Sequence, residues 1–271
     1  MVGFLIGVGH AGGALLDAVC ERGAGKNPRI AINPRVALEH VRKKEQYLLT
    51  DKGFFGSGDD EVGRRDFADT AASASAMDSY DATLLGLLND NIKDADFAII
   101  FLGLGGITGP GISPIIARML SDLNIPTMVF GVLPARTRTG ADAHAQYQNV
   151  GYAIEHLRKY TDAFILMDNQ RIAYTSNIES AYPHFNQYAA AVISDILSGS
   201  DPKVSTASSL GVRDLMSGIS LPEGGFSVFG RASVLSKDLP GYFIPVGGHK
   251  LIDVPTLIGV AVEKQSMDVD T

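Results

Sequence analysis

The sequence predicts an α/β fold in which a Rossmann-like parallel sheet carries helices on both faces. Short apolar runs alternate with stretches of helical periodicity along most of the 271 residues, a pattern typical of parallel sheets that are buried on both sides. Glycine is enriched, because it accounts for 30 of the 271 residues, whereas its usual share is about 7%. Two glycine clusters directly follow apolar runs, which places them at strand-to-helix turns.

Each element follows from the local pattern of apolar residues. The predicted strands, in chain order, are residues 2–7, 29–33, 47–50, 97–102, 127–133, 163–167, 225–235 and 255–262. The first predicted helix follows the first glycine cluster and ends near residue 22, and the others are residues 36–43, 64–93, 112–123, 141–160, 182–197 and 212–217. Residues 51–63 and 103–111 are predicted loops.

Composition and charge exclude several classes of protein. The formal net charge of −7 argues against a general nucleic-acid binder, because such proteins normally carry a basic face. The single cysteine, Cys20, excludes an internal disulfide framework and a multi-cysteine metal site. Residues 97–117 are uncharged, but their glycines and prolines predict a strand, a loop and a helix start instead of a membrane span. We therefore expect a cytoplasmic protein that does not insert into membranes.

The two glycine clusters, residues 7–13 and 103–111, indicate an anion-binding site. At a strand-to-helix turn, free backbone N–H groups and the helix dipole favour negative charge. Parallel sheets bind ligands at the carboxyl ends of their strands, so both loops would meet at one edge. The pair of loops predicts a polyphosphate held between them.

One alternative is an NADP-dependent oxidoreductase. Gly7, Gly9 and Gly12 have the spacing of the dinucleotide-binding fingerprint, which also requires an acidic residue about 20 residues further on. The second predicted strand ends without such a residue, but Arg35 would suit the 2′-phosphate of NADP. This alternative leaves the second glycine cluster unexplained.

The second cluster, Gly-Leu-Gly-Gly-Ile-Thr-Gly-Pro-Gly at 103–111, resembles the GGGTGxG signature of the tubulin/FtsZ family. Further segments resemble that family in the same order, over residues 2–235 and more closely to FtsZ than to eukaryotic tubulin. They are residues 9–13, 31–33, 56–63, 157–162 with 168–171, 193–196, 212–216 and 229–233. On this resemblance the chain is identified as a divergent, prokaryotic FtsZ-like protein.

The resemblance implies a GTP or GDP cofactor, with Mg²⁺ carried on its phosphates. It assigns Asn169 and Asn186 to the guanine edge and Tyr182 to stacking on the base. Thr139 falls near the ribose. The remaining implied ligands surround the phosphates or end the second strand, namely Gly9, His10, Ala11, Gly12, Gly13, Asn33, Gly58, Asp59, Gly105, Gly106, Ile107, Thr108 and Gly109. Plain structural roles remain open, with Tyr182 as a packing aromatic and His10, Asn33 and Asn169 as turn residues.

Several positions depart from the family pattern. Ile107 replaces the third signature glycine, and a β-branched residue fits poorly if that backbone needs a positive φ. Pro110 removes a backbone donor, and Ala14 stands where FtsZ usually has Asn. The acidic NxDxxD loop that positions the attacking water has no carboxylate here, since Thr206, Ser208 and Ser209 occupy it. We therefore assign no catalytic residue and expect slow or absent GTP hydrolysis.

The domain and partner expectations also come from the resemblance. We assign residues 1–198 to the nucleotide-binding domain, 199–217 to a linker, 218–263 to a small, reduced α+β unit and 264–271 to a tail. The family implies head-to-tail self-association, hetero-assembly with another FtsZ-family protein, and a role in the cytoskeleton or cell division. A non-polymerising scaffold with a degenerate pocket is the other FtsZ-like alternative.

Overall fold

A computed structural model describes residues 2–33, 38–50, 53–56, 81–136, 141–173, 177–198, 211–219, 225–231, 245–246, 249–250 and 259. Most of these residues belong to one eight-stranded sheet and the helices packed on it. The strands are β1 Gly3–Val8, β2 Arg29–Ile32, β3 Gln46–Thr50, β4 Gly53–Gly56, β5 Phe97–Gly103, β6 Thr127–Leu133, β7 Ala163–Asp168 and β8 Ser227–Val228. The spatial order is β4-β3-β2-β1-β5-β6-β7-β8.

Seven of these strands run parallel, and only β4 is antiparallel to its neighbour β3. The helices are α1 Gly9–Glu21, α2 Asp81–Ile92, α3 Thr108–Asp122, α4 Ala141–Leu157, α5 Gln170–Ala173, α6 Ile178–Ser198 and α7 Val212–Ile219. A 3₁₀ turn spans Lys43–Glu45, and a separate hairpin pairs β9 Pro245–Val246 with β10 His249–Lys250. The predicted α/β fold class is confirmed.

The central strands bury side chains on both faces of the sheet, which explains their continuous apolar sequence. In β5, Ala98, Ile100 and Leu102 face a core shared with α2, α3 and α4. The alternate residues Phe97, Ile99 and Phe101 face a second core shared with α1, α6 and α7. This period of two fixes the strand register, because a shift by one residue would exchange the two cores.

The strand order reverses direction between β1 and β5. The chain builds β2 to β4 on one side of β1, and then returns to place β5 on the other side. The carboxyl ends of β1 and β5 therefore lie side by side, and each leads into one of the glycine clusters. Such a switch point opens a crevice where α/β proteins bind ligands.

Several local predictions were wrong in the described part of the chain. Residues 38–42, predicted as helix, are non-helical and are held to α1, because the Asp17 carboxylate accepts bonds from the backbone N–H of His40 (2.7 Å) and Val41 (2.9 Å). The predicted loop 51–63 contains β4, which pairs with β3. Helix α3 begins at Thr108, four residues before the predicted start at residue 112. Within the described residues 225–231, the strand predicted at 225–235 comprises only Ser227–Val228.

Two described segments after α6, namely α7 and β8, pack on the main sheet. Helix α7 buries Leu215 and Met216 in the second core, and β8 extends the sheet beside β7. Most of residues 199–271 lie outside the described part, including the strand predicted at 255–262 apart from residue 259. The division into domains stays a prediction. Among the described helices, none has the length and apolar character that crossing a bilayer requires.

Gly12 allows α1 to lie directly against the central strand, because a Cβ there would overlap the carbonyl oxygen of Phe101. We expect Gly12→Ala to lower the free energy of unfolding by about 3 kcal/mol or more, since backbone must move. In contrast, Gly151 lies in α4 with no heavy atom within 4 Å of an added Cβ. Gly151→Ala should therefore raise the free energy of unfolding by about 0.5–1 kcal/mol. Urea unfolding of both variants measures the difference, and a fully stable Gly12→Ala protein would contradict this packing.

Glu45 anchors the segment between α1 and β3. Its carboxylate accepts bonds from the Arg42 backbone N–H (3.1 Å) and Arg42 Nε (2.8 Å), and it lies 3.2 Å from Arg29 Nε. Burial opposes ionisation of Glu45, but the Arg42 hydrogen bond and the Arg29 charge outweigh it, so its pKa lies below the usual range.

This lowered pKa means that the charged carboxylate stabilises the fold above the unfolded-state pKa, near 4.3, and that the contribution is lost as pH falls through the folded-state value. Glu45→Gln should cost about 1–3 kcal/mol at pH 7. The deficit relative to wild type should shrink below about pH 4. Urea unfolding between pH 3.5 and 7.5 tests this, with Glu39→Gln, an exposed side chain of the same segment, as control. A deficit that is independent of pH would contradict it.

Candidate functional site

The two glycine clusters contact each other at the switch point. Gly9 joins β1 to α1 and has φ +72°, a conformation that glycine adopts without strain. A Cβ on Gly9 would lie 3.2 Å from the backbone N of Gly109, and one on Gly103 would lie 2.9 Å from Cβ of Ala11. The missing side chains thus bring the N-termini of α1 and α3 side by side.

Neither of these helix N-termini is capped by the side chain of its own N-cap residue. The N-cap residues are Val8 and Ile107, whose side chains make no capping hydrogen bond, and neither first turn contains an acidic residue. The first N–H groups of a helix have no intrahelical acceptor and carry the positive end of the dipole. Two adjacent uncapped N-termini form a place where a polyanion is stabilised.

The substitutions in the second cluster are compatible with this geometry. Ile107 has φ −100° and ψ −51°, so the position that replaces a signature glycine is right-handed and accepts a β-branched residue. Pro110 is the third residue of α3, where its missing N–H would have no intrahelical partner, and the first bond runs from Gly111 N to Ile107 O (3.1 Å). The expected misfit at Ile107 does not arise.

Gly106 differs from its neighbours in what surrounds it. A Cβ on Gly105 would lie 2.8 Å from Cγ of Pro134, so the fold itself requires that glycine. A Cβ on Gly106 would meet no atom within 4 Å, and the residue has no positive φ. Neither sterics nor conformation within the described protein explains Gly106, which leaves the backbone open toward the adjoining cavity.

A cavity of about 340 Å³ lies at this edge of the sheet, over the carboxyl ends of β5, β6 and β7. The glycine clusters form one wall, α6 forms another, and the loop after β6 closes the side. The lining residues are His10, Ala11, Ala14, Gly103, Gly105, Gly106, Val132, Pro134, Ala135, Gln146, Asn169, Tyr182 and Asn186. None of these described lining residues is Lys, Arg, Asp or Glu.

Polar groups around the cavity make no hydrogen bonds through their side chains to other described residues. Asn169 is held by its backbone, which donates to Leu133 O (3.2 Å) and leaves the amide side chain at the cavity. Tyr182 and Asn186 are one turn apart on α6 and therefore share a face. Gln146 comes from α4. Together with His10, these groups offer donors and acceptors to a ligand.

Side chains outside the cavity hold its walls in position. The amide of Asn149 in α4 donates to Gly105 O (3.3 Å) and ties the second cluster to that helix. Gln170 Oε1 accepts from the backbone N–H of Arg136 (2.8 Å), and the Gln170 N–H donates to Asp168 Oδ1 (2.8 Å). Since Gln170 and Asp168 are buried, these bonds fix the loop after β6 to the end of β7.

The structure brings many of the residues singled out by the sequence to this cavity. Those that line it are His10, Ala11, Gly105, Gly106, Asn169, Tyr182 and Asn186. Gly9, Gly12, Gly13, Ile107, Thr108 and Gly109 lie in the two turns without lining the cavity, and Asn33 is buried, its Nδ2 3.6 Å from where a Cβ of Gly13 would be. Gly58, Asp59, Thr139, Thr206, Ser208 and Ser209 lie outside the described residues.

Sequence reasoning missed two parts of the lining. Pro134 and Ala135 directly follow β6, so the rule that ligands bind at the carboxyl ends of strands would have found them. Gln146 lies inside an amphipathic helix, and nothing in the local sequence marks which face of α4 meets the cavity.

Comparison with known proteins gives a consistent result. The model of the Tubulin/FtsZ family, GTPase domain, matches residues 4–177. Tubulin-like protein CetZ2 of Haloferax volcanii is 31% identical over 170 residues, which is 61% of this chain and 45% of that protein. Cell division protein FtsZ of Aquifex aeolicus is 26% identical over 263 residues, covering 96% of this chain and 66% of that protein. The chain thus spans about half to two thirds of the length of these relatives.

Solved structures share the fold. CetZ2 from Haloferax volcanii, described as a GTPgS bound protofilament, has a TM-score of 0.67 at 24% identity, covering 85% of this chain and 66% of that one. An empty FtsZ dimer from M. jannaschii has a TM-score of 0.61 at 19% identity, covering 84% of this chain and 62% of that one. At these identities the likeness establishes the fold.

Proposed function

Because the chain belongs to the Tubulin/FtsZ family, we propose that it binds GTP or GDP in the cavity over β5, β6 and β7. The observation that carries this proposal is the pair of uncapped helix N-termini at one wall of that cavity. The NADP-dependent alternative receives no support from the comparisons, and Arg35, on which it depends, lies outside the described residues.

The phosphates would lie against the first turns of α1 and α3. Backbone N–H groups there would supply the hydrogen bonds, and the two dipoles would supply the positive potential. Gly106 supports this assignment, because its open side permits close approach of phosphate oxygens to the loop backbone. Mg²⁺ would be carried on the phosphates, since the described lining residues include no carboxylate.

The guanine base would lie between α6 and the end of β7. The Tyr182 ring offers a stacking surface, and the amides of Asn169 and Asn186 each combine a donor with an acceptor. Guanine presents an acceptor at O6 beside donors at N1 and N2, which such amides complement. Adenine reverses that pattern, and so we propose selectivity for guanine.

Hydrolysis is proposed to be slow or absent. Thr206, Ser208 and Ser209 stand where the family has its acidic loop, and hydroxyls are poor bases near neutral pH without an activating partner. The nearby Asp214 accepts a bond from Gly211 N (3.1 Å) and so is engaged at the start of α7. Loss of a general base costs roughly 10²–10⁴ in rate.

Head-to-tail assembly is a further part of the proposal. The structure of CetZ2 from Haloferax volcanii is described as a protofilament, which supports assembly for a protein of this fold. Sedimentation at rising protein concentration, with GTP and with GDP, separates an assembling protein from a scaffold that does not polymerise. Sedimentation that is the same under all these conditions would contradict assembly and favour the non-polymerising scaffold.

The experiment that tests nucleotide binding is the nucleotide content of protein purified without added nucleotide, followed by titration with GTP, ATP and NADPH. Near-stoichiometric GTP supports binding without hydrolysis, and near-stoichiometric GDP supports binding but contradicts absent hydrolysis. Binding of NADPH but not GTP, or no binding of any of them, would overturn the proposal.

The role of Gly106 gives a sharper prediction. Gly106→Ala should leave the free energy of unfolding within about 0.5 kcal/mol of wild type, because the added methyl meets no protein atom. The same methyl would obstruct the phosphates and weaken GDP binding about tenfold or more, equivalent to about 1.4 kcal/mol. Calorimetric titration measures the affinity, with Gly151→Ala, an exposed position of α4 that does not line the cavity, as a control. Unchanged GDP affinity would exclude contact between Gly106 and the phosphates.

A further inference from the structure

His10 is distinctive among the groups at the cavity because of its charge. Of the described lining residues it alone is of a basic type, since Lys and Arg are absent from that set, and histidine is the residue type that can change charge in the neutral range. The proposed ligand carries several negative charges. Among the described lining residues, one imidazole therefore controls whether the cavity wall carries side-chain positive charge.

The position of His10 suits contact with an anion. It is the second residue of α1, directly after Gly9, whose left-handed backbone turns the chain from β1 into the helix. Its side chain is exposed and makes no hydrogen bond to the other described residues. The imidazole is therefore free to meet a phosphate beside the uncapped N–H groups.

We propose that His10 couples nucleotide binding to protonation, so that GDP and GTP bind more tightly as pH falls through the neutral range. This inference rests on the proposed function. A phosphate beside an imidazole favours the protonated form, so binding takes up a proton. The extra affinity is present where the imidazole is protonated, and it is lost as pH rises and the imidazole becomes neutral.

The other ionisable groups around the cavity are accounted for among the described residues. Asp168 is buried behind Asn169 and bonded to the Gln170 N–H, and Arg136 lies just beyond the lining residue Ala135. Further ionisable groups lie on the helices but not on the cavity wall, and they include Asp17 on α1, Arg118 on α3, His144 on α4 and His184 on α6.

His144 provides a matched control. It is exposed on α4, two residues before Gln146, and residues at that spacing do not share a helix face. His144→Gln therefore removes an imidazole of the same helix that lines the cavity, without changing the cavity wall. His10→Gln removes the charge but keeps a hydrogen-bond donor at the site.

The experiment measures the Kd of GDP for wild type, His10→Gln and His144→Gln between pH 6.0 and 8.5. The phosphates of GDP titrate equally in all three experiments. The ratio of variant to wild-type Kd therefore isolates the pH dependence that comes from the protein. For His10→Gln we expect the ratio to rise about tenfold from pH 8.5 to 6.0, while it stays near one for His144→Gln. Calorimetry in buffers of different ionisation enthalpy should detect proton uptake that His10→Gln lacks.

The outcomes separate this inference from the proposed function. Parallel pH profiles for wild type and His10→Gln would overturn the role of His10 while leaving nucleotide binding intact. A flattened profile for His144→Gln would also overturn it. If wild type binds no GDP at any pH, the proposed function itself fails. Thermal unfolding of each variant ensures that a folded protein is compared, and His10→Asn repeats the test if His10→Gln is unstable.

Discussion

The fold and the cavity both depend on the close approach of the β1–α1 turn to the β5–α3 turn. Gly12 lets α1 lie against the backbone of Phe101, and Gly9, Gly103 and Gly109 let the two turns touch. These contacts hold two helix N-termini in register at one edge of the sheet. Glycine is costly in conformational entropy, so this concentration is sustained by the packing of two large cores around β1 and β5.

The central strands could be predicted from the sequence because burial on both faces leaves a continuous apolar signal. Elements held by distant contacts could not. Residues 38–42 take their shape from Asp17, some 20 residues earlier, and no local pattern reports that bond. Strand β4, Gly53–Gly56, is short and flanked by residues typical of loops, and it becomes a strand only by pairing with β3.

The site was predictable to the extent that it rests on turns at the ends of strands. His10, Gly106 and Asn169 lie within three residues of the ends of β1, β5 and β7, and all three line the cavity. Ile107 illustrates a different limit, because a substituted signature glycine is informative only once the backbone angle is known, and here φ is negative. Gln146 depends on how α4 rotates against α3, which is a property of tertiary packing.

Helix α6 has a mechanical consequence beyond the cavity. Tyr182 and Asn186 lie near its beginning, whereas Asp195 near its end pairs with Arg231 Nε at 2.7 Å. Asn186 and Asp195 are about 14 Å apart along the axis of a continuous helix. When α6 moves as a rigid body, a tilt of a few degrees about its Asn186 end displaces its Asp195 end, and with it the ion pair to Arg231 after β8, by about 1 Å.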